Sequence, residues 1–528
     1  MKTRLIVCII AVLFTSNIYS QNPNFYIYLC FGQSNMEGQG PIESQDRTVN
    51  SRFKVMETLD CSNLSRTKGT WYTAVPPTCR CYTKLSPADY FGRTMVANLP
   101  DSITVGIINV SVGGCNIGLF DKINYAAYDS TYTDTWFQDI IKSYNGNPYQ
   151  YLIDIAKLAQ KDGVIKGILL HQGETNTGDA QWPTKVKTIY NDLLSDLSLS
   201  ADSVPLLAGE VVSSQYNGCC SSMNSIIDQL PNTIPTAHVI SSSACSVQSD
   251  KAHFTSDGYR KLGRRYAVAM LNILGYKSVS AEAECGIVGG NWTIKADNSA
   301  SNASYISALS SVENLSTAPT NDSSVVQMSF TLSSDTSYYI YGRFNNPNIK
   351  SKSYWVKIDN GAYELIDNLT TTGWQWLKIK SINLTAGTHK IYVGIADSGT
   401  TIDKILIKNS QILPVSIAEE ASNVCVPVIS TMGNNQTSLV TGYVLEQNYP
   451  NPCTESTNIA FEIPNTCYIS LKVYNSQGIE VAELAGKEFN AGRNIVQCNL
   501  KKLSAGNYFY TIKADKFTAT KNLIILKK

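Results

Sequence analysis

The chain has 528 residues, 43% of them hydrophobic and 16% charged, which suits about three or four packed domains and rules out a wholly disordered chain. Lys and Arg number 43 against 42 Asp and Glu, a net charge of +1, which argues against a nucleic-acid binder. With 30 Tyr and 34 Gly, the composition suits an extracellular, strand-rich protein that handles neutral polar ligands.

The first element is a leader. Lys2 and Arg4 form a basic start, Leu5 to Phe14 an apolar core, and Ser16 to Ser20 a polar exit. Ten apolar residues are too few to span a bilayer, which needs about 20, so residues 1–20 read as a cleaved signal peptide. No later run is long and apolar enough for a membrane helix. Fourteen Cys are present, and Cys8 lies in the leader, leaving an odd 13 in the exported chain. Export permits disulfides. Cys79, Cys81, Cys219 and Cys220 are candidates for bridging, with connectivity open. No CxxC pair exists to hold zinc.

Residues 21–278 alternate strand and helix patterns. Short apolar runs at Phe25–Phe31, Thr104–Val112, Val164–Leu170, Val204–Val212 and His238–Ser242 predict strands. Ser86–Pro87 and Asn147–Pro148 each pair an N-cap residue with Pro at the first helical position. They predict helices through Ala97 and up to a closing Gly163. Further helices are expected over Thr184–Leu197 and Thr255–Leu274. The alternation predicts an α/β/α three-layer fold around a parallel sheet, with ligands beyond the carboxyl ends of the strands. From 279 to 408, short alternating strands such as Tyr338–Gly342, Tyr354–Ile358, Trp376–Ile379 and Lys390–Ile395 predict an all-β sandwich. Residues 409–442 lack periodicity and read as a linker, and 443–528 as a second β-sandwich region.

The polar motifs fall at strand ends. Gly32-Gln33-Ser34-Asn35-Met36-Glu37-Gly38 places a Ser just past the first strand. On its own Ser34 is either a helix-capping hydroxyl or a nucleophile, and Met36 stands where a G-x-S-x-G elbow has its second Gly. His253 is one of four His, and Asp250 lies three residues before it. That spacing lets the carboxylate reach Nδ1 and leaves Nε2 for a hydroxyl. Val112-Gly113-Gly114 offers backbone N–H groups at a second strand end, and His171-Gln172-Gly173-Glu174 follows a third. Gln172 is a candidate amide donor, while His171 and Glu174 read as supporting partners.

These four blocks, in this order, resemble those of the SGNH hydrolase superfamily, and most closely carbohydrate esterase family six, with its acetyl xylan esterases and related sialate O-acetylesterases. The resemblance covers about residues 24 to 276. It implies Ser34 as nucleophile, His253 as general base and Asp250 as its orienting carboxylate. The Ser34 N–H, Gly113 or Gly114 N–H and Gln172 would hold the oxyanion, supported by Gln33, Asn35, His171 and Glu174. Where the wider superfamily supplies an Asn, this chain has Gln172. The implied activity is a carboxylic ester hydrolase removing O-acetyl groups from acetylated plant polysaccharide, acetyl xylan foremost, without a catalytic cofactor. The alternatives are a sialate or other glycan deacetylase, and an inactive glycan-binding surface protein.

Ala281-Glu282-Ala283-Glu284, Asp403, and Trp292, Trp355, Trp374 and Trp376 resemble features of carbohydrate-binding modules of families six and thirty-five. That resemblance implies a structural calcium ion held by Glu282, Glu284 and Asp403. The stretches Leu445–Pro452, Val473–Gly478, Leu503–Tyr510 and Lys521–Ile525 resemble the C-terminal sorting domain of the type IX secretion system. It implies that the secretion machinery is a partner, and that the protein is secreted or attached to the cell surface.

Overall fold

The computed structural model describes residues 21–425 except 132, 313, 349–351, 419 and 424, and residues 443–526 except 446, 449, 450, 452, 455, 465, 476, 490, 491 and 516. The expected leader and residues 426–442 of the expected linker lie outside the described residues. The chain divides into two compact units, residues 1–430 and 431–528.

The first unit opens with a seven-stranded sheet: β1 (Asn22–Gly32), β2 (Phe53–Met56), β3 (Trp71–Thr73), β4 (Thr104–Ser111), β5 (Gly163–His171), β6 (Leu206–Gly209) and β7 (Ala237–Ile240). The order is β3-β2-β4-β1-β5-β6-β7. All neighbours are parallel except β3, which runs antiparallel to β2. A central parallel strand is covered on both sides, so its run is apolar on both faces. In β1, Ile27, Leu29 and Phe31 enter one core and Tyr28 and Cys30 the other.

The helices are α1 (Ser34–Glu37), α2 (Pro87–Asn98), α3 (Tyr125–Asp129), α4 (Thr135–Ser143), α5 (Pro148–Ala159), α6 (Trp182–Asp196), α7 (Asn224–Ile227), α8 (Leu230–Thr233) and α9 (Ser256–Ile273). Ser86 and Asp89 form a capping box on α2, and the side chains of Asn147 and Thr255 cap α5 and α9. On one face of the sheet α2 and α9 supply Phe91, Met95, Leu262 and Met270; on the other α5 and α6 supply Leu152, Ile155, Val186 and Leu193. This is the expected three-layer arrangement. One expectation is corrected: Gly163 does not close α5, which ends at Ala159, but begins β5. The strands β2 and β3 and helix α4 lie in stretches where no element was expected.

Register then sets the site. Gly32 stands opposite Ser111 of β4 and His171 of β5. The chains leaving these three strands therefore start side by side. At Gly32, with φ of +147°, an added Cβ would stand 2.1 Å from the His171 carbonyl oxygen. Only Gly lets the two backbones approach so closely.

Residues 278–408 form the expected sandwich. A four-stranded sheet orders Gln375–Leu384, Thr336–Phe344, Lys404–Lys408 and Ser278–Glu282; a five-stranded one orders Glu364–Ile366, Tyr354–Ile358, Gly387–Ile395, Val325–Leu332 and Ile287–Val288. Alternate residues such as Val326, Met328, Phe330 and Leu332 fill the core between them. The expected linker starts later than 409. Glu420 pairs with Arg265 and Lys261 of α9, and Cys425 is joined to Cys285. These ties bind residues up to Cys425 into the first unit.

The other disulfides are Cys61–Cys81 and Cys219–Cys220. Cys79 is not bridged; burial pushes its thiol up to about 11. The second unit packs a three-stranded sheet (Val444–Leu445, Ser456–Ile463, Gly492–Asn499) and a four-stranded one (Glu480–Phe489, Cys467–Asn475, Gly506–Ala514, Phe517–Ile525) around Ile459, Phe461, Leu471, Val473 and Ile512. Among the described residues, no helix is long and apolar enough to cross a membrane.

Candidate active site

The turn from β1 into α1 puts Ser34 at the first position of a four-residue helix, beyond the sheet's carboxyl edge. On the far side of the sequence, the loop before α9 folds tightly around Asp250. Its Oδ1 accepts the N–H groups of Ala252 and His253, both at 3.0 Å. Its Oδ2 lies 2.7 Å from His253 Nδ1. With Asp250 accepting from Nδ1–H, the bare Nε2 faces the Ser34 hydroxyl at 2.8 Å. The structure thus brings Ser34, His253 and Asp250 into one hydrogen-bonded chain. Burial works to raise the Asp250 carboxyl, but its hydrogen bonds from His253 and the two amides hold it below the usual range.

Asn35 ties the two halves of this site together. Its Nδ2 donates to the Ala252 carbonyl at 2.9 Å, one residue before His253, and to Glu174 Oε1. Its Oδ1 accepts from the Tyr259 hydroxyl at 2.6 Å. Gln248 Nε2 adds bonds to the carbonyls of Gln39 at 3.0 Å and Phe254 at 2.9 Å. The Ser34 and His253 loops are therefore pinned to each other by buried bonds, each of which costs more to break than it contributes net.

Of the four expected oxyanion donors, two are corrected. Gln172 is fully buried: the two N–H groups of its Nε2 are shared among Gln33 Oε1, the Cys115 carbonyl and Asn176 Oδ1, at 3.0, 3.1 and 2.8 Å, and its Oε1 accepts from Trp182 Nε1. No N–H of that amide is left for a substrate. The Gly113 N–H donates to Glu37 Oε1 at 3.3 Å. Ser34 heads α1, so no carbonyl of that helix accepts its N–H. Gly114, with φ of +73°, turns the chain out of the strand end, and its carbonyl accepts from Thr175 Oγ1 at 3.0 Å.

Gln33, His171 and Glu174 are supports. Gln33 Oε1 also takes the N–H groups of Gly173 and Thr175 at 3.3 and 3.4 Å, stitching the β1 exit to the β5 exit. Burial raises the Glu174 carboxyl and lowers the His171 imidazole to about 3. The two stand 3.9 Å apart, and His171 packs edge-on against Phe254, the neighbour of His253. Three residues without an expected role complete the frame. Glu37 pairs with Arg80, whose Nη1 donates to the Ser111 carbonyl at 3.0 Å. Tyr259 anchors Asn35. Glu37 lay inside the first motif, but nothing in its spacing points to Arg80, and Tyr259 carries no signal beyond its place on a helix.

In the sandwich the calcium set is also corrected. Asp403 gives Oδ2 to Arg343 and Oδ1 to the Ser301 N–H at 2.9 Å, while Glu282 Oε1 sits 3.2 Å from Lys404 Nζ. Glu284 binds Asn302 Nδ2 at 3.0 Å. Among the described residues, the ligating atoms that converge within 4.8 Å belong to Glu284, Cys285 and Cys425, and the two sulfurs are joined in a disulfide. Oε2 of Glu282 and of Glu284 accepts no hydrogen bond. Even so, two buried cations already neutralise two of the three carboxylates, so the residues present do not fit a calcium cage. Nor do the four Trp form open platforms. Trp292 and Trp376 are buried, and the indole N–H groups of Trp355 and Trp374 are tied to the Leu315 carbonyl and Asp297 at 3.0 and 2.9 Å.

Residues 24–272 match the family model described as carbohydrate esterase, sialic acid-specific acetylesterase. Residues 447–526 match the model described as secretion system C-terminal sorting domain. Among solved structures, a protein from Arabidopsis thaliana is similar at 19% identity over 48% of this chain and 99% of its own, with a TM-score of 0.37. A family 35 carbohydrate-binding module from Clostridium thermocellum is similar at 22% identity over 24% of this chain and 96% of its own, with a TM-score of 0.21. The C-terminal family 6 module of a marine laminarinase from Zobellia galactanivorans gives 14% identity, 25% and 98% coverage and a TM-score of 0.19. The two family matches together describe a carbohydrate esterase exported through type IX secretion, released or held at the cell surface.

Proposed function

We propose that the first unit is a serine O-acetylesterase acting on acetylated plant polysaccharide, with acetyl xylan as substrate. The observation that carries this reading is the chain from Ser34 Oγ to His253 Nε2 at 2.8 Å and from His253 Nδ1 to Asp250 Oδ2 at 2.7 Å, beyond the carboxyl edge of a parallel sheet. Ser34 attacks the acetyl carbonyl while its proton passes to His253 Nε2. Asp250 keeps the imidazole in the required tautomer and stabilises the imidazolium. The tetrahedral oxyanion lies against the N–H groups of Ser34 and Gly114. One such donor is worth about 3 kcal/mol in the transition state. The imidazolium then protonates the departing sugar oxygen. The acetyl group stays on Ser34 until water, deprotonated by the same imidazole, releases acetate and restores the hydroxyl.

The description of the matching family favours a second substrate, acetylated sialic acid. One experiment separates the readings. Acetate release is measured from acetyl xylan and from O-acetylated sialic acid, with the full chain and with Ser34→Ala. Release from xylan that Ser34→Ala abolishes is the expected result. Release from sialic acid alone moves the assignment to the second substrate. Release from neither leaves a glycan-binding surface protein.

A further inference from the structure

The helix that carries Ser34 ends in the wall of a cleft of about 380 Å³, which is within the range of small-molecule sites. Glu37, Arg80, Tyr82, Lys84, Asp139 and Ile140 are among its lining residues. Helix α4 supplies one wall. Trp136, Asp139, Ile140 and Ser143 recur at the spacing of a single helix face, and the last three line the cleft. Trp136 lies one turn before them on the same helix, against Gly114 at the exit of β4. The rim of its indole stands 3.1 Å from where a Cβ on Gly114 would be. The neighbouring, buried Phe137 meets the indole in a T-shaped contact at 5.6 Å. The ring nonetheless leaves Trp136 54% exposed. Tyr82, also in the lining and beside the Cys61–Cys81 staple, is 84% exposed.

We propose that Trp136 is the stacking platform of a sugar subsite that runs from Gly114 into this cleft and seats a neutral glycan chain, with Tyr82 a second aromatic of the lining. The proposal rests on the esterase reading of Ser34 and adds what holds the sugar. An indole braced by Phe137 and more than half exposed offers apolar ring surface to the C–H face of a pyranose ring. The charges in the cleft point to a neutral chain rather than an acidic sugar. The guanidinium of Arg80 is taken by Glu37 and the Ser111 carbonyl, so it is not free to grip a carboxylate in a bidentate pair. The exposed Lys84 is offset by Asp139 in the same lining.

The test compares Trp136→Ala and Trp136→Phe with the unaltered full chain on an acetylated xylo-oligosaccharide and on 4-nitrophenyl acetate, which has no sugar. For Trp136→Ala, kcat/KM on the oligosaccharide falls about tenfold further than on the small ester, mainly through KM, the loss typical of truncating an aromatic anchor. Trp136→Phe recovers most of that difference. Equal falls on both substrates, or none on either, overturn the subsite. If the unaltered protein cleaves neither substrate, the esterase reading fails, and calorimetric binding of the unacetylated xylo-oligosaccharide decides the subsite alone. A tenfold weaker affinity in Trp136→Ala upholds it, and an unchanged affinity overturns it.

Discussion

Lowering the pH from 7 to 5 destabilises the first unit through His171. Its imidazole is fully buried, Nε2 has no hydrogen-bond partner, and burial lowers it from 6.5 to about 3. The folded protein thus keeps His171 neutral down to about pH 3, whereas the unfolded chain takes up a proton below 6.5. Between these values the unfolded state binds more protons, so stability falls as pH falls. From pH 7 to pH 5 the loss is about 2 kcal/mol, rising to roughly 4 kcal/mol near pH 3. Glu174, raised by burial, works in the opposite direction but is common to both proteins in the test. Urea denaturation of the full chain and of His171→Gln, followed by near-ultraviolet circular dichroism at pH 7 and pH 5, isolates the His171 contribution. The unaltered protein should lose about 2 kcal/mol more than the variant over that interval. Equal losses in the two proteins would refute a neutral, desolvated His171.

Three further outcomes follow from the same contacts. Gln172→Leu leaves the Trp182 indole N–H and the Cys115 carbonyl without their buried partner, and removes one of several donors from Gln33 Oε1 and Asn176 Oδ1, so it should lower unfolding free energy by about 2–4 kcal/mol in urea melts; a variant as stable as the parent but slow in turnover would restore Gln172 as an oxyanion donor. Asp250→Asn puts an amide N–H where Oδ2 accepts from His253 Nδ1, favouring the wrong tautomer, and should lower kcat by roughly 10³–10⁴-fold with its circular dichroism spectrum unchanged. Cys425→Ser opens a disulfide of sequence separation 140 and should cost up to about 5 kcal/mol by loop entropy, read as a lower melting temperature of the first unit.

Much of the site is legible in the sequence because each block sits at a strand end, and a parallel sheet with β1 between β4 and β5 forces those ends together. The Asp250–His253 spacing carries its own geometry, since a three-residue turn is enough to close it. Side-chain direction is not written in such blocks. Gln172 follows its strand as an oxyanion donor would, yet it points inward, because Trp182, ten residues on, offers the matching donor. The Gly113 N–H is taken by Glu37, and Glu37 is held by Arg80, a pairing between distant residues that spacing does not encode. In the sandwich, Glu282, Glu284 and Asp403 match a calcium set as letters, while Lys404, the next residue after Asp403, and Arg343 on a neighbouring strand supply the cations instead. Residues 409–425 have a linker's composition but are anchored by Glu420, by the Cys285–Cys425 disulfide and by bonds such as those of Asn423 to the Glu282 backbone.

The central claim is that His253 and Asp250 make the Ser34 hydroxyl nucleophilic. Covalent labelling with a fluorophosphonate, read by intact mass and peptide mapping, tests it directly. One label per chain on Ser34, absent from His253→Ala under the same conditions, is the predicted result; labelling at another residue, or equal labelling of Ser34 without His253, would contradict it.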